Sequence, residues 1–177
     1  MPIKNYSNPK IYEYRNKLKG NIYTTRFNDK TFEENRRFCI KTPKIGCIYS
    51  SSVTIGQNVQ IQSILFVLEM NNEKNKIMGI GMIKNNNPIY NKYKIYEEEQ
   101  YNTFAYVGKY RIAREEMTEE EEEIMKVFDI LCFTGSRHLK RLKGIKAFPI
   151  DMLYRCSEIK DLVEFVTNMF KMRYLKK

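Results

Sequence analysis

The chain has 177 residues, 42% of them apolar and 29% charged, which suffices for one ordinary core and excludes two large domains or wholesale disorder. Its net charge is +10, and seven of its 21 acids fall within Glu115 to Glu123, so the rest of the chain carries +17 once those seven negative charges are set aside. No apolar run approaches the roughly 18 to 20 residues that span a bilayer, and Met1 to Lys10 lacks a signal-peptide core, so a soluble, cytoplasmic protein is expected.

Asn8 to Leu18 predicts a short first helix, with Pro9 at a permitted first position and Gly20 closing it. Thr31 to Cys39 predicts a second, with Thr31 as N-cap and Glu34 as its capping-box partner, before Ile40 to Thr42 turns extended ahead of Pro43. Ile61 to Met70 and Lys76 to Lys84 read as a hairpin around the polar loop Asn71 to Asn75. Gly79 and Gly81 in its second strand signal a bulge, a sharp bend or a close approach of backbone. Phe104 to Ile112 adds another strand or strand pair, with Gly108 as a turn residue. Thr118, three residues before Glu121, opens a helix with Ile124, Val127, Phe128 and Leu131 on one face, so the acid run is read as first-turn carboxylates on a helix dipole. Ile145 to Phe148 reads as a closing strand, Pro149 to Leu153 as a turn and Ser157 to Tyr174 as a last helix.

These elements imply a single α+β domain over 1–177: an N-terminal helical part (1–35), a small curved, mostly antiparallel β-barrel (36–150) with an inserted helix (118–133), and a C-terminal helix (157–174). Cys39, Cys47, Cys132 and Cys156 form no C-x-x-C pair, and His138 is the sole histidine, so no metal site is expected and the thiols read as small buried hydrophobes. Phosphate-loop, dinucleotide, nucleophile-elbow and zinc-protease motifs are missing from the sequence, so neither catalysis nor a cofactor is expected.

The strongest electrostatic feature is Gly135 to Lys146, where Arg137, Lys140, Arg141, Lys143 and Lys146 stand without an acid, the first four of them between Gly135 and Gly144. Such a loop suits phosphate binding, with His138 as a phosphate neighbour; a plain solvated basic loop is the alternative. Thirteen Tyr and ten Phe offer faces on which bases could stack, although most must fill the core.

Three stretches carry a resemblance: Arg36 to Thr42, Ile48-Tyr49-Ser50-Ser51-Ser52, and Ile64 to Glu69 leading into Gly79-Ile80-Gly81-Met82-Ile83. In order and character they resemble the landmarks of YTH and EVE domains of the PUA-like group. The hairpin with Gly108 to Ile112 and the basic loop also resembles a protein set of giant DNA viruses. The resemblance implies a small barrel flanked by helices that reads a modified nucleotide of RNA in an aromatic cage. It places Lys41, Thr42, Tyr49, Ser50, Ser51 and Asn58 at the nucleotide, with Tyr49 where the family has a cage tryptophan. This chain has no Trp, so a cage would consist of Tyr and Phe.

The expectation is a non-catalytic RNA-binding module, with methylated or capped messenger RNA as partner, a viral or host protein as a further partner, and no membrane. In a virus, its place would be the host cytoplasm or viral factory. Cap binding is the second version: a cationic 7-methylguanine would gain cation–π attraction, and Glu69 would pair with the guanine edge. A structural protein coating nucleic acid electrostatically is the third.

Overall fold

A computed structural model describes residues 8–175. Asn8 caps the first helix, α1 (Pro9–Lys17), its side chain accepting from Lys10 N–H. β1 (Asn21–Phe27) follows, so the segment expected to be only helical holds a strand that lies well inside a sheet. The Thr-Thr-Arg in its middle hides it from a hydrophobicity reading; Thr24 is nevertheless buried.

Next come α2 (Asp29–Lys41) and β2 (Cys47–Ser51). The capping box of α2 differs from expectation: Asn28 is the cap and Thr31 the third helical residue, each side chain accepting the other's backbone N–H, at 2.8 Å for Thr31 N and 3.0 Å for Asn28 N. Glu34 instead accepts from Glu97 N–H. Ile40 and Lys41 are still helical, because Pro43 restricts only the residue before it, and Thr42 is the C-cap.

β3 (Ile64–Asn71) and β4 (Lys76–Lys84) form the expected hairpin, with a register shift between Leu68 and Met70. β5 (Ile89–Tyr90), β6 (Phe104–Gly108) and β7 (Tyr110–Ala113) follow, then α3 (Glu119–Phe133), capped by Thr118 and Glu121 as the sequence indicates. β8 (Lys146–Ala147) pairs antiparallel with β1. The expected turn after Pro149 is a helix, α4 (Ile150–Ser157), because Met152 and Leu153 N–H both find the Pro149 carbonyl. The last helix, α5 (Leu162–Tyr174), starts later than expected, where Asp161 accepts from Val163 and Glu164 N–H.

The strands form a five-stranded sheet, β7-β4-β3-β1-β8, and a three-stranded sheet, β2-β6-β5. This is an α+β fold in two sheets, and no closed barrel is found among the described residues. Strand pairing is mostly antiparallel, with one exception: β1 runs parallel to β3, because α2 and β2 carry the chain back before β3 enters beside it. Alternation along β3 divides the core: Phe66, Leu68 and Met70 join Met125, Phe128, Val166 and Phe170 of α3 and α5, while Leu65 and Val67 join Ile48, Ala105, Tyr106 and α2. Apolar layers on both faces explain why β3 reads as an almost unbroken hydrophobic run.

Glu69 occupies the second of these faces. It is 1% exposed, accepts from the Tyr49 hydroxyl at 2.8 Å, and takes a two-point pair from Arg111 at 2.9 and 2.6 Å. The glycines of β4 give this triad its room. A Cβ on Gly79 would stand 2.8 Å from Arg111 Nη2 and 3.0 Å from Glu69 Oε2, and one on Gly81 would overlap the Tyr49 hydroxyl. Close approach is therefore the reason for both glycines.

The acid run has partners. Arg114 clamps Glu122 and Asp129, and Arg173 clamps Glu121 with two bonds of 2.7 Å. Burial would raise the Glu121 carboxyl, but the bonds from Arg173 and Thr118 outweigh it and hold Glu121 below the ordinary glutamate value; Arg114 does the same for Glu122. A lowered carboxyl contributes stability above its unfolded pKa and loses it as pH falls through the folded value, so urea midpoints should decline on acidification below the ordinary glutamate pKa. Glu121→Gln should flatten that decline.

Removing Arg111 leaves a buried carboxylate unpaired. Arg111→Met should cost about 3 to 5 kcal/mol in chemical denaturation, and Glu69→Leu with Arg111→Met should recover most of that.

Candidate nucleic-acid interface

Where β1 ends and α2 begins, the fold opens a cleft of about 320 Å³. Thr25 and Arg26 come from β1, Asn28 and Thr31 from the α2 cap, Ser50 to Ser52 from the end of β2, and Asn72 from the hairpin turn. Tyr96, Gln100 and Tyr101 form another wall, and Lys143 with Gly144 crosses from the basic loop. No Asp or Glu lines it.

The tyrosine wall is held by Asn102, a buried residue whose Oδ1 accepts from Ile95 and Tyr96 N–H and whose Nδ2 donates to the Tyr96 carbonyl. Tyr96 is buried, and its hydroxyl accepts from Asn35 Nδ2 at 3.1 Å. Burial pushes that phenol well above its ordinary pKa, so it stays neutral. Tyr101 meets Tyr96 in a T-shaped arrangement, with centroids 6.4 Å apart, and is 38% exposed, so part of this residue is open to solvent.

The hydrogen-bonding inventory is incomplete in a specific way. Ser51 Oγ is used in a turn with Val53, and Asn72 Nδ2 donates to the Lys140 carbonyl at 3.0 Å. Ser50 Oγ and Asn72 Oδ1 are buried atoms of the cleft lining with no partner. Buried polar atoms are rarely left so, and a ligand or water bonding there would remove a penalty of about 1 to 3 kcal/mol each.

Two cations face this space. Arg26 donates to the Lys140 carbonyl at 3.2 Å, and neither Arg26 nor Lys143 has a carboxylate within 4.0 Å among the described residues. Gly144 adopts φ +69°, and a Cβ there would stand 2.7 Å from Val53 Cγ2 and 3.0 Å from Ser51 Oγ. Only a glycine lets the loop lie this close over Ser51 to Val53 and carry Lys143 to the cleft.

Of the residues expected at a nucleotide or phosphate, Ser50, Ser51 and Lys143 meet in this cleft. Tyr49 and Glu69 do not: both are 1% exposed and spent on each other and Arg111, so neither can stack on or pair with a base. Lys41 and Thr42 lie at the C-terminal end of α2, about 20 Å along the helix axis from its cap at the cleft. Asn58 is exposed in the connection before β3 and does not line the cleft.

The basic loop is anchored by buried Leu139, whose N–H donates to the Cys132 carbonyl at 2.7 Å. Arg137 is paired with Asp151, at 2.7 and 3.1 Å, so its charge is partly spent. Lys140 Nζ donates to Asn75 Oδ1, which puts it beside the cleft and not in it. Arg141 is exposed, and His138 is half-buried with Nδ1 unpartnered.

Arg26, Asn28, Asn72, Tyr96 and Tyr101 escape the sequence reading. The signal for Asn28 was present, since an Asn before Asp29 is as good a cap as Thr31. Among the described residues no group of three or more His, Cys, Asp or Glu converges as for a metal ion, and no helix is long and apolar enough to cross a membrane.

No protein-family model matches the chain, and no curated protein matches it.

Gly144→Ala should force the loop off Ser51 to Val53. We expect a loss of about 1 to 2 kcal/mol in urea denaturation, with faster proteolytic cutting within 140–146.

Proposed function

We propose that the protein is a non-catalytic RNA-binding module that holds one nucleotide, with a modified and most simply methylated base, in this cleft. The observation that carries the reading is the meeting, in one space, of an exposed tyrosine, two cations without an ion-pair partner among the described residues, two unpartnered polar atoms and no carboxylate. A base stacked on Tyr101 would gain about 1 to 3 kcal/mol. Ser50 Oγ and Asn72 Oδ1 would bond its edge, and Arg26 and Lys143 would take the flanking phosphate. A methyl group on the base adds apolar area to bury against the tyrosine wall.

The YTH and EVE resemblance points the same way through Ser50 to Ser52, although its Tyr49 and Ile40 to Thr42 portions do not reach the cleft. The recognition wall proposed here therefore uses Tyr101 and Tyr96 in place of Tyr49. Lys140, whose carbonyl bonds the lining residues Arg26 and Asn72, and exposed Arg141 next to it in the chain would extend the positive surface along which a strand would run.

Titration at near-physiological salt with short RNAs of one sequence, unmodified and carrying N6-methyladenosine, tests this reading. The expected result is a preference of at least tenfold, about 1.4 kcal/mol, for the modified strand, lost in Tyr101→Ala. Equal binding to both, falling steeply with salt, would replace it with an electrostatic coat.

A further inference from the structure

We infer that the cleft selects a base without positive charge and discriminates against a cationic one, of which 7-methylguanine is the test case. The inference rests on the nucleotide-binding reading above and adds its charge selectivity.

Sites that welcome a cationic ring supply a counter-charge or enclose the ring in several aromatic faces. This cleft supplies neither. Fourteen residues line it, two of them the cations Arg26 and Lys143, and none is acidic. Both cations lack an ion-pair partner among the described residues, and Arg26 bonds only a carbonyl oxygen. The carboxylate that a sequence reading offers to a guanine edge, Glu69, is buried behind Tyr49 and committed to Arg111 at both oxygens. It is therefore neither accessible nor unneutralised.

Tyr101 alone presents an exposed ring, because Tyr96 and Phe27 are buried among the lining residues. The quadrupole of one phenol ring is a short-range attraction, whereas two full charges at the rim act over the whole cleft. The phosphate of a bound strand neutralises one of the two. The other still opposes a second positive charge brought in on the base.

The experiment uses the full chain and paired oligoribonucleotides of one sequence, with a single internal guanosine or 7-methylguanosine, at mildly acid pH where the methylated ring keeps its charge. These two bases share the same Watson–Crick donors and acceptors and differ in the N7 methyl and its charge. The expected result is about tenfold weaker binding of the cationic strand at low salt. That penalty should shrink as salt is raised and shrink again in Arg26→Gln and Lys143→Gln, both surface changes whose folding circular dichroism verifies.

Equal or tighter binding of the cationic strand overturns the inference. A penalty that neither salt nor the two substitutions relieve also overturns it, since that marks a steric clash with the methyl group. Loss of all RNA binding at every salt, with the protein folded, instead overturns the nucleotide-binding reading and the charge selectivity with it.

Discussion

A carboxylate in the middle of an apolar layer determines much of this fold. Glu69 comes to the face of β3 shared with Leu65 and Val67, and it is tolerable there only because Tyr49 and Arg111 supply three hydrogen bonds to its two oxygens. Those partners come from β2 and β7, one strand in each sheet. Packing the sheets together and neutralising Glu69 are thus the same event. Gly79 and Gly81 follow from it, since side chains there would occupy the space of the triad. Slipping β3 by one residue would point the charge into the apolar cluster with α3 and α5 and away from Tyr49 and Arg111, so the triad also fixes register.

The cleft adjoins this arrangement at the same end of β1, where Thr25, the register partner of Glu69, is one of its lining residues. The parallel β1–β3 pair sends the chain into α2 on the face where the smaller sheet packs, and the α2 cap, the end of β2 and the hairpin turn converge. Asn71 helps to tie them: its Nδ2 donates to Asp29 at the start of α2, while its Oδ1 accepts from Glu73 and Lys74 N–H within the turn. Asn72 then reaches the opposite way to the Lys140 carbonyl and holds the basic loop against the hairpin.

Elements whose signals are local were readable from the residues. The β3–β4 hairpin, the Thr118 cap and the closing strand after Ile145 each depend on a few neighbouring side chains. β1 was not readable, because its polar centre is buried by strands on either side that lie far away in sequence. Tyr49 shows the same limit from the other direction: an aromatic beside serines looks like a binding residue, and only the placement of Glu69, twenty positions on, turns it inward. Ser50, Ser51 and Lys143 were found, whereas Arg26 and Tyr101 become meaningful only when five separate segments meet. Charge density alone was a poor guide to the basic loop, since Arg137 is compensated by Asp151 and Lys143, the member beside Gly144, faces the cleft.

The dispersion of the lining residues also links occupancy to folding. Thr25 and Gly144 are more than a hundred positions apart, and no short fragment of the chain contains the whole cleft. An unfolded chain therefore has nothing equivalent to offer a ligand. Whatever occupies the cleft draws its free energy from the native state alone, and stabilises the entire domain by an amount that grows with the logarithm of ligand concentration once the site is filled. Recognition and cooperative stability are in this sense a single thermodynamic property of the chain.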